Sequence, residues 1–419
     1  MRLGKLSPAE RQTAVLLLLA AAFNGFVQSF GQTQDIIARK ALLATEWQIL
    51  IITLIWPVSN FLSIWMGRFL ERSCNKSRYI LLAGLLGRLS LLWALWMAGI
   101  NQYLILLLLL YSANSLIIPA QNSIFQRNID VSRRAKVYGY TISLGMLVSI
   151  VVTFVAGRLL DSRESSYRLI LAVTGLAGFI HCFFLSRVKI EPLQDCVKTE
   201  KQPWKTVLMD PIRRTFSLLK ENPAFASFER SFSIYGMGFI MMTPVIPLYL
   251  VDVLKLNYTA NFLSKGILSQ LGMLLLSPLI GKLHDRMHPL SFISISFATL
   301  MIFPLLVIVS AAYAGNQVVA TILIFVAYLI FGLAMTGINI AWNMSSIFFA
   351  GKEDAAMYQS VHVTLTGIRG LIAPFLGLGL MRLFGYQSVF IVAAGFLLSA
   401  ALISRRDYLR LKLKSAEPV

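Results

Sequence analysis

Hydrophobic residues along this chain come in blocks of about twenty, the length a helix needs to cross the hydrocarbon core of a bilayer. The blocks fall at 14–34, 46–66, 79–99, 102–121, 138–158 and 167–186, and again at 231–251, 262–281, 289–313, 317–338, 356–381 and 386–404. Lipid offers the backbone no hydrogen-bonding partner, so a spanning segment must satisfy its own N–H and C=O groups as a helix. The pattern therefore predicts an all-α polytopic membrane protein with twelve transmembrane helices. The one long polar stretch, 187–230, carries KTEKQPWK and DPIRR and divides six blocks from six. The expected organisation is a six-helix bundle over 1–190, a cytoplasmic linker over 191–228, and a second six-helix bundle with a short basic tail over 229–419.

Composition agrees with this pattern. Of the 419 residues, 57% are hydrophobic and 14% charged, against about 25% charged in a typical soluble domain. The formal net charge of +19 would suit a nucleic-acid partner in a soluble chain. Here the basic residues lie between apolar blocks, with no interleaved aromatic and basic module, so nucleic-acid binding is excluded. With the N-terminus placed inside, 28 of the 38 Lys and Arg fall on the cytoplasmic side and 8 on the other. That asymmetry predicts both termini in the cytoplasm of a multi-pass plasma (inner) membrane protein. Arg2, Lys5 and Arg11 before VLLLLAAAF could open a signal peptide, but the apolar run continues through Phe30 without a cleavage site. It reads as a retained first helix. Cys74, Cys182 and Cys196 have no metal-ligand spacing and, being odd in number, imply no disulfide framework. No cofactor and no metal are expected.

The two halves echo each other. GRFLER at 67–72 leaves the second block and GKLHDR at 281–286 leaves the eighth; NSIF at 122–125 and SSIF at 345–348 form a looser second pair. A six-residue pattern at the same topological place in each half points to two repeats.

On these residues the chain resembles the major facilitator superfamily of secondary transporters. Members of that family carry Gly-x-Leu-x-Asp-Arg-x-Gly-Arg-Arg after spans two and eight. Gly67, Glu71 and Arg72 fit the first copy, with Cys74 and Asn75 departing from it; Gly281, Leu283, Asp285 and Arg286 fit the second, which drifts at Met287 and His288. The resemblance implies two pseudo-symmetric six-helix bundles working by alternating access. It also implies a cytoplasmic gate of Gly67, Glu71, Arg72, Arg133, Arg134, Gly281, Asp285 and Arg286, in which an acid pairs with an Arg of a neighbouring loop or caps a helix. A glycine at a span's end would admit a neighbouring helix. The bland alternative is ordinary loop charge.

In the family, spans one, four, seven and ten line the central cavity. Here they carry Asn24, Gln28 and Gln32; Asn114 and Gln121; Tyr235; and Thr336, Asn339 and Asn343. These residues are the expected substrate cavity, the alternative being helix–helix hydrogen bonds. Span eleven carries its own stripe of Tyr358, His362, Thr366 and Arg369, spaced 4, 4 and 3. A mid-membrane Arg costs roughly 2.5–3.5 kcal/mol to insert, so it must face protein or water. Glu229 falls just before span seven, and Asp35 and Asp252 near the outer ends of spans one and seven, so Arg369 has no acid at its depth. It joins the cavity set as the contact for an anionic group, with backbone carbonyls as the structural alternative. Arg88 reads as a peripheral, snorkelling residue. His362 is the coupling candidate, because an unperturbed imidazole exchanges protons near physiological pH. Gly367, Gly370, Pro374 and Gly377 form a hinge of close packing and a removed helix bond. Span five has Gly145 and Gly157 but no Pro between them, unlike the drug antiporters of the family.

The expected function is secondary transport of a small organic solute, an anion among the candidates, with protons as the coupling ion and a lean to efflux. A lipid or lysolipid flippase on the same scaffold is the alternative. An enzyme is disfavoured, because no cluster of catalytic or metal-ligating spacing lies in the spans. The expected partners are the solute, membrane lipids and protons, and the expected state is a monomer.

Overall fold

The computed structural model of the chain describes residues 7–71, 76–189, 216–350 and 355–414, and those residues contain helices and no strand. We number the long helices α1 (Pro8–Lys40), α2 (Glu46–Glu71), α3 (Lys76–Trp96), α4 (Ile100–Asn128), α5 (Val131–Ser162) and α6 (Tyr167–Ser186). They continue with α7 (Pro223–Val253), α8 (Tyr258–Asp285), α9 (Pro289–Ala312), α10 (Gln317–Ala350), α11 (Ala355–Phe384) and α12 (Tyr386–Lys414). Among the described residues, ten of them are long and apolar enough to cross a membrane. α8 makes an eleventh if its two arms, bent by 58° at the break between Ser277 and Leu279, form one span. Pro278 sits at that break and has no N–H to give the helix ladder. The exception is α2, whose described apolar part, Glu46–Ser59, is too short for a span.

The helix starts are set by capping chemistry. Ser7 accepts the Glu10 N–H and Glu10 returns a bond to the Ser7 N–H, while Pro8 occupies the first helical position. Such a reciprocal box satisfies donors that a helix start otherwise leaves orphaned. At α7, Asn222 accepts the Phe225 N–H at 3.0 Å and Pro223 follows it. α7 therefore begins six residues before the expected start of the second bundle at 229, because hydropathy registers only the apolar part of a helix.

The helices cluster into two compact units: Met1–Thr199 with Asn257–Ile267, and Glu200–Leu256 with Leu268–Val419. In the first unit α1 packs on α5 and α6, α2 on α4, and α3 on α6. In the second, α7 packs on α11 and α12, the later part of α8 on α10, and α9 on α12. Each pairing recurs six helices later, the arrangement a duplicated bundle produces. Large apolar side chains such as Trp93, Trp96, Ile105, Leu275, Val318 and Ile322 remain exposed on the units. Surfaces of that kind suit lipid rather than water.

The first unit also holds the start of α8 by polar contacts. Asp161 at the end of α5 accepts the backbone N–H groups of Tyr258 at 2.7 Å and Thr259 at 2.9 Å. Glu164 accepts the Tyr258 hydroxyl at 2.6 Å, and Lys265 pairs with Asp35 of α1. A carboxylate on two orphan amides at a helix start is worth about 1 kcal/mol. Asp161→Ala should therefore lower the stability of this unit by about that amount, read from unfolding of purified protein in detergent. An unchanged unfolding midpoint would show that the cap contributes nothing.

Candidate functional site

The polar residues expected to form a site divide into two groups. Gln28 and Gln32 of α1 and Asn343 of α10 are exposed on their units, while Asn24, Gln121 and Asn339 are half-buried. Asn339 donates to the Met335 carbonyl and Asn343 to that of Asn339, at 2.9 and 2.7 Å. The other group is turned inward. Thr336 is buried and donates to the Gly332 carbonyl at 2.7 Å. Tyr235 is buried, stacked on Phe297 with ring centroids 4.6 Å apart. Asn114 accepts from Arg88 at 2.5 Å. Arg88 is 2% exposed, so the expectation that it is peripheral is corrected. Its aliphatic stem lies inside the first unit beside Gly178, whose missing side chain leaves the room.

The second unit assembles a charged cluster between α7 and α11. His362 is 0% exposed and its Nδ1 lies 2.8 Å from Oε1 of Glu229, itself 2% exposed. Among the described residues, Glu229 Oε2 and His362 Nε2 are buried with no hydrogen-bond partner. The rings of Phe228, Phe232 and Trp342 surround the imidazole at centroid distances of 5.9, 4.8 and 5.3 Å. Arg369, two turns along α11 and 5% exposed, donates to the Phe232 carbonyl and the Thr366 hydroxyl, both at 2.7 Å. Its Nε has no partner. Its side chain occupies the notch left by Gly236, where any Cβ would overlap the guanidinium stem.

Sequence reading put Glu229 outside span seven and left His362 without a carboxylate; the structure corrects this by placing Glu229 in the second turn of α7. The signal that could have found it was Asn222-Pro223, a capping residue followed by a first-turn proline. Counted from there, Glu229, Phe232 and Gly236 share one face of α7, and that face meets α11.

Of the expected gate, Arg72 lies outside the described residues, and the side chains of Gly67, Glu71 and Arg134 lie outside them too. Arg133 pairs with Glu10 at 2.7 Å, tying the start of α5 to the start of α1. Among the described residues, nothing lies within 4 Å of where a Gly281 Cβ would stand. Asp285 is exposed, with its side chain 82% accessible and 3.6 Å from His284 Nδ1. Among the hinge residues, Gly377 has a tight requirement: a Cβ there would overlap the Met241 carbonyl oxygen. Pro374 lies inside α11, Gly370 is buried and Gly367 half-buried.

Helices of spanning length, a repeated packing order and polar faces on apolar segments define a polytopic membrane transporter. The sequence profile of the Major Facilitator Superfamily matches residues 13–374, and the chain belongs to that family, whose members are transporters rather than enzymes. Multidrug resistance protein MdtG of Escherichia coli (strain 55989 / EAEC) is 23% identical over 393 residues, which cover 92% of this chain and 91% of the relative. Among solved structures, the nucleoside transporter NupG superposes with a TM-score of 0.69 at 15% identity, covering 96% of this chain and 99% of its own. A POT family transporter in complex with 5-aminolevulinic acid superposes with a TM-score of 0.73 at 16% identity, covering 97% of each chain. Both likenesses establish the fold.

Proposed function

We propose that the protein is a secondary active transporter that moves a small organic solute by alternating access through twelve spans, with both termini cytoplasmic. The observation that carries this reading is the outward placement of Gln28 and Gln32. Both are exposed on α1, an apolar helix whose other face is buried in its unit. An amide turned toward hydrocarbon loses its hydrogen bonds, which costs several kcal/mol. Exposed amides suit a solute that accepts and donates hydrogen bonds; the first unit offers Gln28 and Gln32, and the second, by itself, Asn343. Asn114, Thr336 and Tyr235 serve the interior of their own units. Arg369 is held by the Phe232 carbonyl and the Thr366 hydroxyl, and the remaining N–H groups of its two terminal nitrogens are the candidate contact for an anionic group of the solute. Efflux is favoured by the likeness to a multidrug resistance protein, and proton coupling through His362 by the ionisable pair it forms inside the second unit.

The test is a thermal-shift screen of purified protein against metabolites and drugs, followed by uptake into inverted and right-side-out vesicles. A solute at 100 times its dissociation constant adds about 2.7 kcal/mol of stability. That shift should shrink in the Gln28→Ala/Gln32→Ala double variant while its unliganded stability stays unchanged. Accumulation in inverted vesicles, driven by a pH gradient, is the expected result for efflux. If the double variant binds the solute as tightly as the parent, the proposed site is wrong.

A further inference from the structure

Glu229 and His362 hold between them the chemistry of a one-proton store. With one exchangeable proton the pair is neutral, whether written as imidazolium with carboxylate or imidazole with carboxylic acid. Without it the pair carries one negative charge. In the deprotonated state a neutral imidazole has one N–H, and the carboxylate 2.8 Å from Nδ1 holds that hydrogen on Nδ1 as donor to Oε1. A carboxylate behind a histidine selects the tautomer in this way and orients the ring. The lone pair is then on Nε2, the buried ring nitrogen with no partner.

We propose that His362 Nε2 is a proton-binding atom of this protein, and that Glu229 is the positioning residue that keeps Nδ1 protonated and balances the imidazolium. The inference rests on the proton-coupled reading of His362 given above and adds the atom, its carboxylate partner and the direction of proton entry. Protonation at Nε2 turns that atom from acceptor to donor while the Nδ1–H bond to Glu229 persists. The pair that joins α7 to α11 therefore stays intact in both states, and the difference is presented at one atom. A water, or a hydrogen-bonding group of a solute, reaching Nε2 delivers or removes the proton.

The surroundings contain few competing groups. α11 itself contributes Arg369, held by the Phe232 carbonyl and the Thr366 hydroxyl, and Tyr358, whose hydroxyl accepts from Asn222. α7 contributes Tyr235 and Arg230, and Arg230 pairs with Asp407 of α12 at 2.5 Å. α9 and α10 present Phe297 and Trp342 to this cluster, neither of which titrates. Among the described residues Glu229 is thus the one carboxylate bonded within the cluster, beside one fixed cation, Arg369. The cluster as a whole alternates between zero and one positive charge.

The experiment is ring-15N NMR of protein labelled at histidine and reconstituted in nanodiscs, stepped between about pH 5 and about pH 8, the range in which an unperturbed histidine changes charge. The chain has 4 His, so His362→Gln identifies the resonance pair of interest. Nδ1 should stay protonated throughout while Nε2 moves from a bare to a protonated shift. Glu229→Gln should abolish that pattern, leaving the other three histidines as they were. An Nε2 that keeps one shift across the range, or an unchanged titration in Glu229→Gln, overturns the proposal. The wild-type spectrum alone decides the first point, should the variant fail to fold. Solute flux in proteoliposomes separates the two readings. Titration at Nε2 with flux indifferent to the pH gradient leaves the proton site standing and removes the coupling. Flux driven by the gradient with a silent Nε2 leaves the coupling and removes this site.

Discussion

Gly377→Ala is expected to destabilise the second unit by about 3 kcal/mol or more, above the usual 1–3 kcal/mol of overpacking. The reason is the identity of the atom it would meet. A Cβ at 377 overlaps the backbone carbonyl oxygen of Met241 and comes within 2.8 Å of its carbon. A flexible side chain could swing aside, but a carbonyl inside α7 moves only with its helix. Gly379, two residues on, has nothing within 4 Å of a Cβ, so Gly379→Ala is the matched control and should be neutral or slightly stabilising through helix propensity. The readout is thermal unfolding and the monodisperse yield of purified protein. Equal behaviour of the two variants would show that α7 and α11 do not approach at this point.

The second large effect concerns the buried pair. Glu229→Ala alone should lower stability by about 3–5 kcal/mol, because removing one partner leaves the other buried and unsatisfied. Replacing both, as Glu229→Leu with His362→Phe, should recover much of that loss. Phe228, Phe232 and Trp342 already line the space, and a well-packed apolar pair often matches a buried ionic one. The cycle is measured by chemical or thermal unfolding of the four proteins. If the double variant is as unstable as the sum of the two single ones, the residues are not coupled and the 2.8 Å contact carries no stability. The double variant should also be inert to a pH gradient if His362 couples transport, which separates the fold from the function in one protein.

Arg369 illustrates how far residue type can be read without geometry. Its depth in an apolar segment made it a functional candidate, and the structure gives it two neutral acceptors and a notch at Gly236. An Arg in this position also binds α11 to α7, so loss of transport in Arg369→Ala would not by itself identify a solute contact. Arg88 shows the same limit from the other side. Taken as snorkelling, it is buried, bonded to Asn114 and packed beside Gly178. Hydropathy reports how apolar a segment is and says nothing about which way one of its side chains points.

The sequence by itself determined the all-α membrane class and the family, because spanning length and a loop motif repeated in both halves are one-dimensional signals. It also nominated His362, Arg369 and the amide stripes, since a polar residue in an apolar run is conspicuous wherever it points. Tertiary structure decided the rest. It paired His362 with Glu229 across 133 positions of chain, turned Gln28 and Gln32 outward and Thr336 inward, and paired Arg133 with Glu10. Those outcomes depend on where each helix starts and how far it is rotated about its axis. Capping residues and interhelical packing set both, and a one-residue shift rotates a helix face by about 100°, so apolar periodicity alone could not specify them.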